Sequence, residues 1–351
     1  MPSLGQVTSR DQMEVEYTRV AAGNFGDDMN SWFWEKLSPD GWGPNSKHTL
    51  LGIGSLLGVD RDPSRHWHVL GSGAGYQYPA NLSEAGHWSF LAVRGPLSAM
   101  ALGLSEEKAV TDTAILLSSI PEFQVVPENE REGVIFIPHH RASEYCDWKR
   151  ICEDSGIGYV DPGADSIEVI DAIRSSSLVL SGAMHAAIIA DTFRVKWVPI
   201  TTSSAINHFK WLDWTMSMEM PYDPTYIGPG SSEGRVQDLV FKYSWVGDKV
   251  PMNSEEALRY LKKRSRRGGL RKVWSSTIWK FGSFFESILK TRVCGKIRRK
   301  MGKRARSMAA VGLKEAALSE GFLSEEGVFE DRLSKMKGGL EVVIELKSRM
   351  G

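Results

Sequence analysis

Short apolar runs that end in glycine alternate along the first two-thirds of the chain with longer stretches in which apolar residues recur every three or four positions. The runs predict strands buried in a parallel sheet, and the stretches predict the helices that cover it. "VEYTRV" leads into the loop "GNFGDD" and an aromatic helix, "MNSWFWEKL". "HTLLGIGS" and "HWHVLGSGAG" read as strands that end in glycines, and "SFLAVRGPLSAMALGL" as a strand, a turn at Gly95-Pro96 and a helix. A second series begins at "GVIFIPHH" and continues through "DWKRICEDSGIGYVDP" and "SIEVIDAIRSSSLVLS". In "SLVLSGAMHAAIIADTFRVKWVPI" the run Leu178–Leu180 predicts a strand, Ala183 to Phe193 a helix and Lys196–Ile200 the next strand. Repeated strand–helix units argue an α/β fold with parallel sheets. Two series argue two Rossmann-like domains facing a cleft, spanning 10–126 and 127–250, with "PENEREG" as the joint and "NHFKWLDWTMSMEMPYDP" as a closing helix.

The pattern changes in the last part, 251–351, which predicts a basic, amphipathic and helical extension. Trp274, Ile278, Phe281, Phe285 and Ile288 are spaced as one helical face, weakened at Gly282. Phe329, Leu333, Met336, Leu340 and Val343 repeat at heptad-like spacing and could pair with another helix of this chain or of a second one.

Charge sharpens this division. The 351-residue chain has zero formal net charge, yet from Lys262 to Arg306 there are 17 Lys or Arg against one acid, Glu286. A basic segment bracketing an apolar helical face predicts contact with an anionic membrane surface through 262–306. No recognised motif points to nucleic acid. No apolar run is long enough for a transmembrane helix, and the N-terminus lacks an apolar signal core. Cys146, Cys152 and Cys294 show no metal-ligand spacing, and their odd number argues against a disulfide framework. Together these predict a cytoplasmic protein, peripheral on the inner face of the membrane.

Chemistry gathers at the predicted strand ends, where open α/β sheets bind ligands. His185 falls in the first turn of its helix, just past a strand. Arg94 ends another strand and offers a planar clamp for carboxylate or phosphate. His139, His140 and Arg141 follow a third strand. Asp112 sits in a turn that suits a helix cap, and Asn24, Asp27 and Asp28 in the first loop suit sugar hydroxyls or a general base. "GSGAG" lacks the full dinucleotide fingerprint, and "HWH" could place His66 and His68 on one strand face, with no third ligand spaced for a metal.

The ordered set "GNFGDDMNSW", "LLGIGSLL", "VLGSG", "VRGPLSAMALGL", "TDTAILL", "IPHH", "YVDP", "SGAMHAAIIADTFRVKWVPI" and "FKWLDW" resembles the polysaccharide pyruvyl transferase family over roughly residues 17–225. It is most similar to the bacterial exopolysaccharide members. The resemblance implies a GT-B-like fold, phosphoenolpyruvate as donor and a terminal hexose of a lipid-linked repeat unit as acceptor. It also implies a pyruvate ketal as product, with no metal and no cofactor. The motif histidine falls on His185 and the motif arginine on Arg94. The chain departs from related sequences at Gly182, often acidic there, and at Ala186, often glycine. On this reading His185, Asp112 and Asp28 are catalytic. Arg94, His139, Arg141, Met184 and Ser181 bind the donor, and Asn24, Asp27, Trp211 and Trp214 the acceptor. Two other classes suit the same pattern: a glycosyltransferase using a nucleotide sugar, and a non-catalytic scaffold for envelope polysaccharide assembly, because fold alone does not choose.

Overall fold

Two all-parallel sheets carry the molecule. The computed structural model describes residues 12–44, 47–79, 82, 86–244, 250–265 and 295–350. The apolar face of Trp274, Ile278, Phe281, Phe285 and Ile288 lies outside the described residues, as does Cys294.

The first sheet has the order β1-β2-β3-β4, from Glu14–Val15 (β1), His48–Leu51 (β2), His66–Leu70 (β3) and Trp88–Ala92 (β4). Between β1 and β2 the expected aromatic helix is cut to short pieces, α1 (Phe25–Asp28) and α2 (Phe33–Leu37), joined by a 3₁₀ turn at Met29–Ser31. Aromatic and β-branched residues are weak helix formers, and here burial of Phe25, Phe33 and Trp34 decides the geometry. α3 (Pro96–Leu102) starts with proline in its first turn and ends at Gly103 in the left-handed region, so its boundaries were legible.

The second sheet has the order β6-β5-β7-β8-β9, from Val134–Ile137 (β5), Gly158–Tyr159 (β6), Leu178–Ser181 (β7), Lys196–Thr201 (β8) and Thr225–Tyr226 (β9). This is the doubly wound order whose direction reverses between its first and third strands. The reversal lies between β5 and β7, and their carboxyl ends carry His139 and His185. The helices between these strands are α4 (His140–Ser143), α5 (Trp148–Ser155), α6 (Ser166–Arg174), α7 (Met184–Thr192) and α8 (His208–Ser217).

Every residue of α7 is buried. A helix that is apolar all round needs cover on all sides. α7 gets it from β7 and β8, from α6 and from the 3₁₀ helix Thr113–Ser119 of the first half. The main core is therefore continuous across the halves, and holds Phe25 and Phe33 together with Ile170, Ile188 and Phe193.

The later helices pack back onto both halves. α11 (Gly295–Ala316) covers the second sheet through Ala309, Leu313 and Ala316, and α9 (Ser232–Ser244) packs against α11. α10 (Ser254–Ser265) buries Ala257, Tyr260 and Leu261 with Leu97 of the first half and Phe209 of α8. α12 (Glu326–Met350) buries Phe329, Met336, Leu340 and Val343, with Leu333 partly covered. The heptad-like stripe thus meets the Thr113–Ser119 turn and strands β3 and β4 of its own chain. At its far end Lys347 Nζ donates to Ser38 Oγ (3.0 Å) and sits 4.2 Å from the Trp42 ring centre. Among the described residues no helix is long and apolar enough to cross a membrane.

Candidate active site

A cleft of about 740 Å³ opens between the halves at the carboxyl ends of the strands. Asn24, Asp27, Ser55 and Tyr76 line it from the first half. His139, His140, Arg141, Met184, His185, Lys210 and Trp211 line it from the second.

His185 enters the cleft because β7 ends at Ser181 and the chain turns directly into α7. Ser181 is fully buried, and its Oγ donates to the Ala183 carbonyl (2.6 Å), so it shapes this turn and does not line the cleft. Gly182 makes the turn possible. A side chain there would begin 2.9 Å from the His139 backbone nitrogen, so an acidic residue at this position requires β5 and β7 to end differently. The imidazole packs directly against Gly26, where a Cβ would fall 1.9 Å from His185 Nδ1. Glycine in "GNFGDD" is thus the space in which the histidine sits.

Behind His185 stands Asp112, fully buried. Its Oδ1 accepts from Ala114 N (3.1 Å) and caps the Thr113–Ser119 turn, as its pattern implied. Its Oδ2 faces His185 Nε2 at 3.9 Å, and both atoms are buried without a hydrogen-bond partner among the described residues. Burial, with the charges of Lys210 and Arg94, pushes the His185 imidazole down to about 3. Burial pushes the Asp112 carboxyl up to about 6, against the pull of Arg94. The pair is therefore a neutral imidazole beside a reluctant carboxylate.

Asp27 is pushed up to about 6 by burial, against Lys210 and the Asn24 side chain. Asn24 Nδ2 donates to Asp27 Oδ2 (2.6 Å). Asp28 does not line the cleft; its Oδ2 accepts from Asn24 N (2.8 Å) and closes the loop. His139 and His140 pack ring to ring with centres 4.3 Å apart. Burial holds His139 well below the usual imidazole range and His140 down to about 4. His139 Nδ1 accepts from Arg141 N (3.3 Å), while the Arg141 side chain is exposed at the rim.

Ser181 and Asp28, expected at the donor site and in catalysis, thus shape turns outside the cleft, and two further expectations need correction. Arg94 does end a strand, but it is fully buried and does not line the cleft. Its Nε donates to Asp213 Oδ2 (3.1 Å), Nη1 to Ser55 Oγ (2.7 Å) and Nη2 to the Ala74 carbonyl (2.6 Å). It braces the glycine loop against α8 and has no fork left for a ligand. Trp214 is 1% exposed and packs on Trp197 with centres 5.1 Å apart, so it is core and offers no face to a sugar. Trp211 does reach the cleft wall, stacked on Tyr222 at 5.6 Å.

Lys210 and Tyr76 were missed. Lys210 lies in the quoted "NHFKWLDW", one turn into a helix that follows a parallel strand, which was the available signal. Away from the cleft, "HWH" gains a third imidazole from β2: His48 Nδ1 lies 3.1 Å from His68 Nε2. Among the described residues no group of three or more His, Cys, Asp or Glu could hold a metal.

Residues 68–204 match the family model for polysaccharide pyruvyl transferase. The span takes in Arg94, Asp112, His139 and His185 and stops short of Lys210. The succinoglycan biosynthesis protein ExoV of Rhizobium meliloti (strain 1021) is 36% identical over 216 residues, 61% of this chain and 68% of that protein. The chain belongs to the polysaccharide pyruvyl transferase family. A structure of the wall teichoic acid polymerase TagF aligns with 80% of this pyruvyl transferase homologue and 90% of its own chain, at 12% identity and a TM-score of 0.31.

Proposed function

We propose that this chain transfers a pyruvyl group from phosphoenolpyruvate to a terminal hexose of a lipid-linked polysaccharide repeat unit, forming a ketal in a GT-B-like cleft. The observation that carries the reading is His185 at the cleft wall with the buried Asp112 behind it. Ketal formation starts by protonating the methylene carbon of the donor, which leaves an oxocarbenium-like centre. One sugar hydroxyl adds there and loses its proton, and a second displaces phosphate to close the ring, its proton leaving with the phosphate. His185 supplies the first proton, with Asp112 behind it to hold the imidazolium. The donor is a trianion, and its arrival offsets Lys210 and Arg94, which add to the burial that keeps the imidazole neutral. Asp27 has the raised carboxyl of a general base and takes the hydroxyl proton. His139 and Arg141 contact the donor, and Asn24 and Trp211 the sugar. The test is release of inorganic phosphate from phosphoenolpyruvate with a panel of lipid-linked oligosaccharides. Release that needs both substrates supports the reading, and turnover of a nucleotide sugar in its place sinks it.

A lipid-linked acceptor brings the enzyme to a membrane, and the outer face of α11 suits that role. The helix buries Ala305, Ala309 and Leu313 on one side and exposes Lys296, Arg299, Lys300, Lys303 and Arg304. Each basic residue near an anionic surface contributes about 1 kcal/mol, and salt screens it. Vesicles with phosphatidylglycerol should therefore bind the full chain and release it as salt rises. Equal binding to neutral vesicles, or capture by duplex DNA alone, would rule this surface out as a membrane contact.

A further inference from the structure

With Arg94 committed to Asp213, another cation has to meet an anion in the cleft. Of the cations lining it, Arg61 is ion-paired with Glu16 and donates to the Leu56 carbonyl (3.2 Å). Arg264 donates to the Tyr260 hydroxyl (3.0 Å), and Arg141 stands exposed at the rim. Lys210 differs from these. It is half-buried, makes no ion pair with a carboxylate among the described residues, and its Nζ meets the Tyr76 hydroxyl at 3.3 Å. The same ammonium lies 5.0 Å from the Tyr76 ring centre.

The position of Lys210 is fixed from both halves. A Cβ on Gly75 would fall 2.8 Å from Lys210 Cγ, so the lysine stem runs directly over the glycine loop. Asn207 Nδ2 holds that loop by donating to the Gly75 carbonyl (2.6 Å). The charge of Lys210 is felt by Asp27, Tyr76, Asp112, His139, His140 and His185, so it lies at the electrical centre of the site. α7 and α8 also begin at this cleft without a side-chain cap. Helix N-termini favour anions, and here they reinforce a cation that donates to the Tyr76 hydroxyl.

We propose that Lys210 and the Tyr76 hydroxyl form a phosphate-binding pair that holds the phosphate of an enol-phosphate donor beside His185. The identity of that donor rests on the reading given under Proposed function; the pair itself does not. An ammonium and a phenol on a rigid loop give two donors to one phosphate oxygen face, and a charged hydrogen bond of this kind is worth about 10- to 100-fold in affinity.

The experiment is calorimetric titration of the full chain with inorganic phosphate, and separately with phosphoenolpyruvate. Lys210→Met should weaken phosphate binding about 10- to 100-fold, and Lys210→Arg should restore most of it, because the charge is what binds. Tyr76→Phe should cost a smaller factor, about 3- to 10-fold, the scale of one neutral hydrogen bond. Lys210→Gln is the second truncation if the methionine variant does not fold. Phosphate affinity unchanged in the truncations, or no phosphate binding by the wild type, overturns the pair. Loss of phosphate binding in the truncations without turnover of phosphoenolpyruvate by the wild type upholds the pair and overturns the donor reading. Turnover by the wild type with phosphate affinity unchanged in the truncations does the reverse.

Discussion

His185→Gln lowers turnover about 10²-fold or more, with a much smaller change in donor binding, if the imidazole is the proton source. That is the usual scale for a positioned general acid. Glutamine keeps the size and a hydrogen-bonding tip but has no proton to give at neutral pH. The geometry sets a companion expectation. Asp112→Asn keeps the cap on Ala114 N and removes only the charge facing Nε2. It should cut turnover less than His185→Gln while leaving donor affinity almost unchanged, because Asp112 does not line the cleft. The double variant should be no slower than His185→Gln alone, since residues that act as one unit are not additive. Measured initial rates of phosphate release across the four proteins give the cycle. Near-wild-type turnover in His185→Gln would remove it as the acid and turn attention to His139 and His140, whose rings share the cleft.

Much of this site was legible because parallel sheets put chemistry at their strand ends. The run Leu178–Leu180 followed by a small-residue helix located His185, and "IPHH" located the two histidines that line the cleft across the strand reversal. What stayed hidden depended on long-range pairing. Arg94 had the right residue type at a strand end, yet Asp213 claims it from more than a hundred positions away. Trp214 and Trp211 are three residues apart in one helix and both are buried in the core, yet only Trp211 also borders the cleft. Lys210 was masked by the tryptophans around it, which drew the reading toward sugar stacking. The heptad stripe of α12 was legible as an apolar face, but its partner was not, since strands and a 3₁₀ turn can fill the same stripe as a helix.

Asp213→Ala is expected to destabilise the protein by about 3–5 kcal/mol, the cost of leaving a buried charge unpaired. Both side chains of the Arg94–Asp213 pair are fully buried, and the Asp213 carboxylate also accepts from Ser98 N (2.8 Å) and Ser98 Oγ (2.5 Å). One carboxylate thus ties α8 of the second half to the start of α3 and to the glycine loop of the first. Removing it strands the Arg94 guanidinium and two Ser98 donors together. Removing Arg94 by substitution to Met should cost a similar amount, because burial already pushes the Asp213 carboxyl up and only its partners oppose this. The double variant Arg94→Met with Asp213→Ala should lose clearly less than the sum of the two single losses, since no uncompensated charge remains. Denaturant titrations of the four proteins give the coupling. The same proteins separate brace from clamp. A donor clamp loses affinity whenever Arg94 is absent, whatever happens to stability. A brace loses affinity only as far as the Gly71–Gly75 loop and Lys210 are displaced. Near-normal phosphoenolpyruvate affinity in the folded fraction of the double variant is therefore the expected result. A 100-fold loss there, with additive stabilities, would return Arg94 to the donor site.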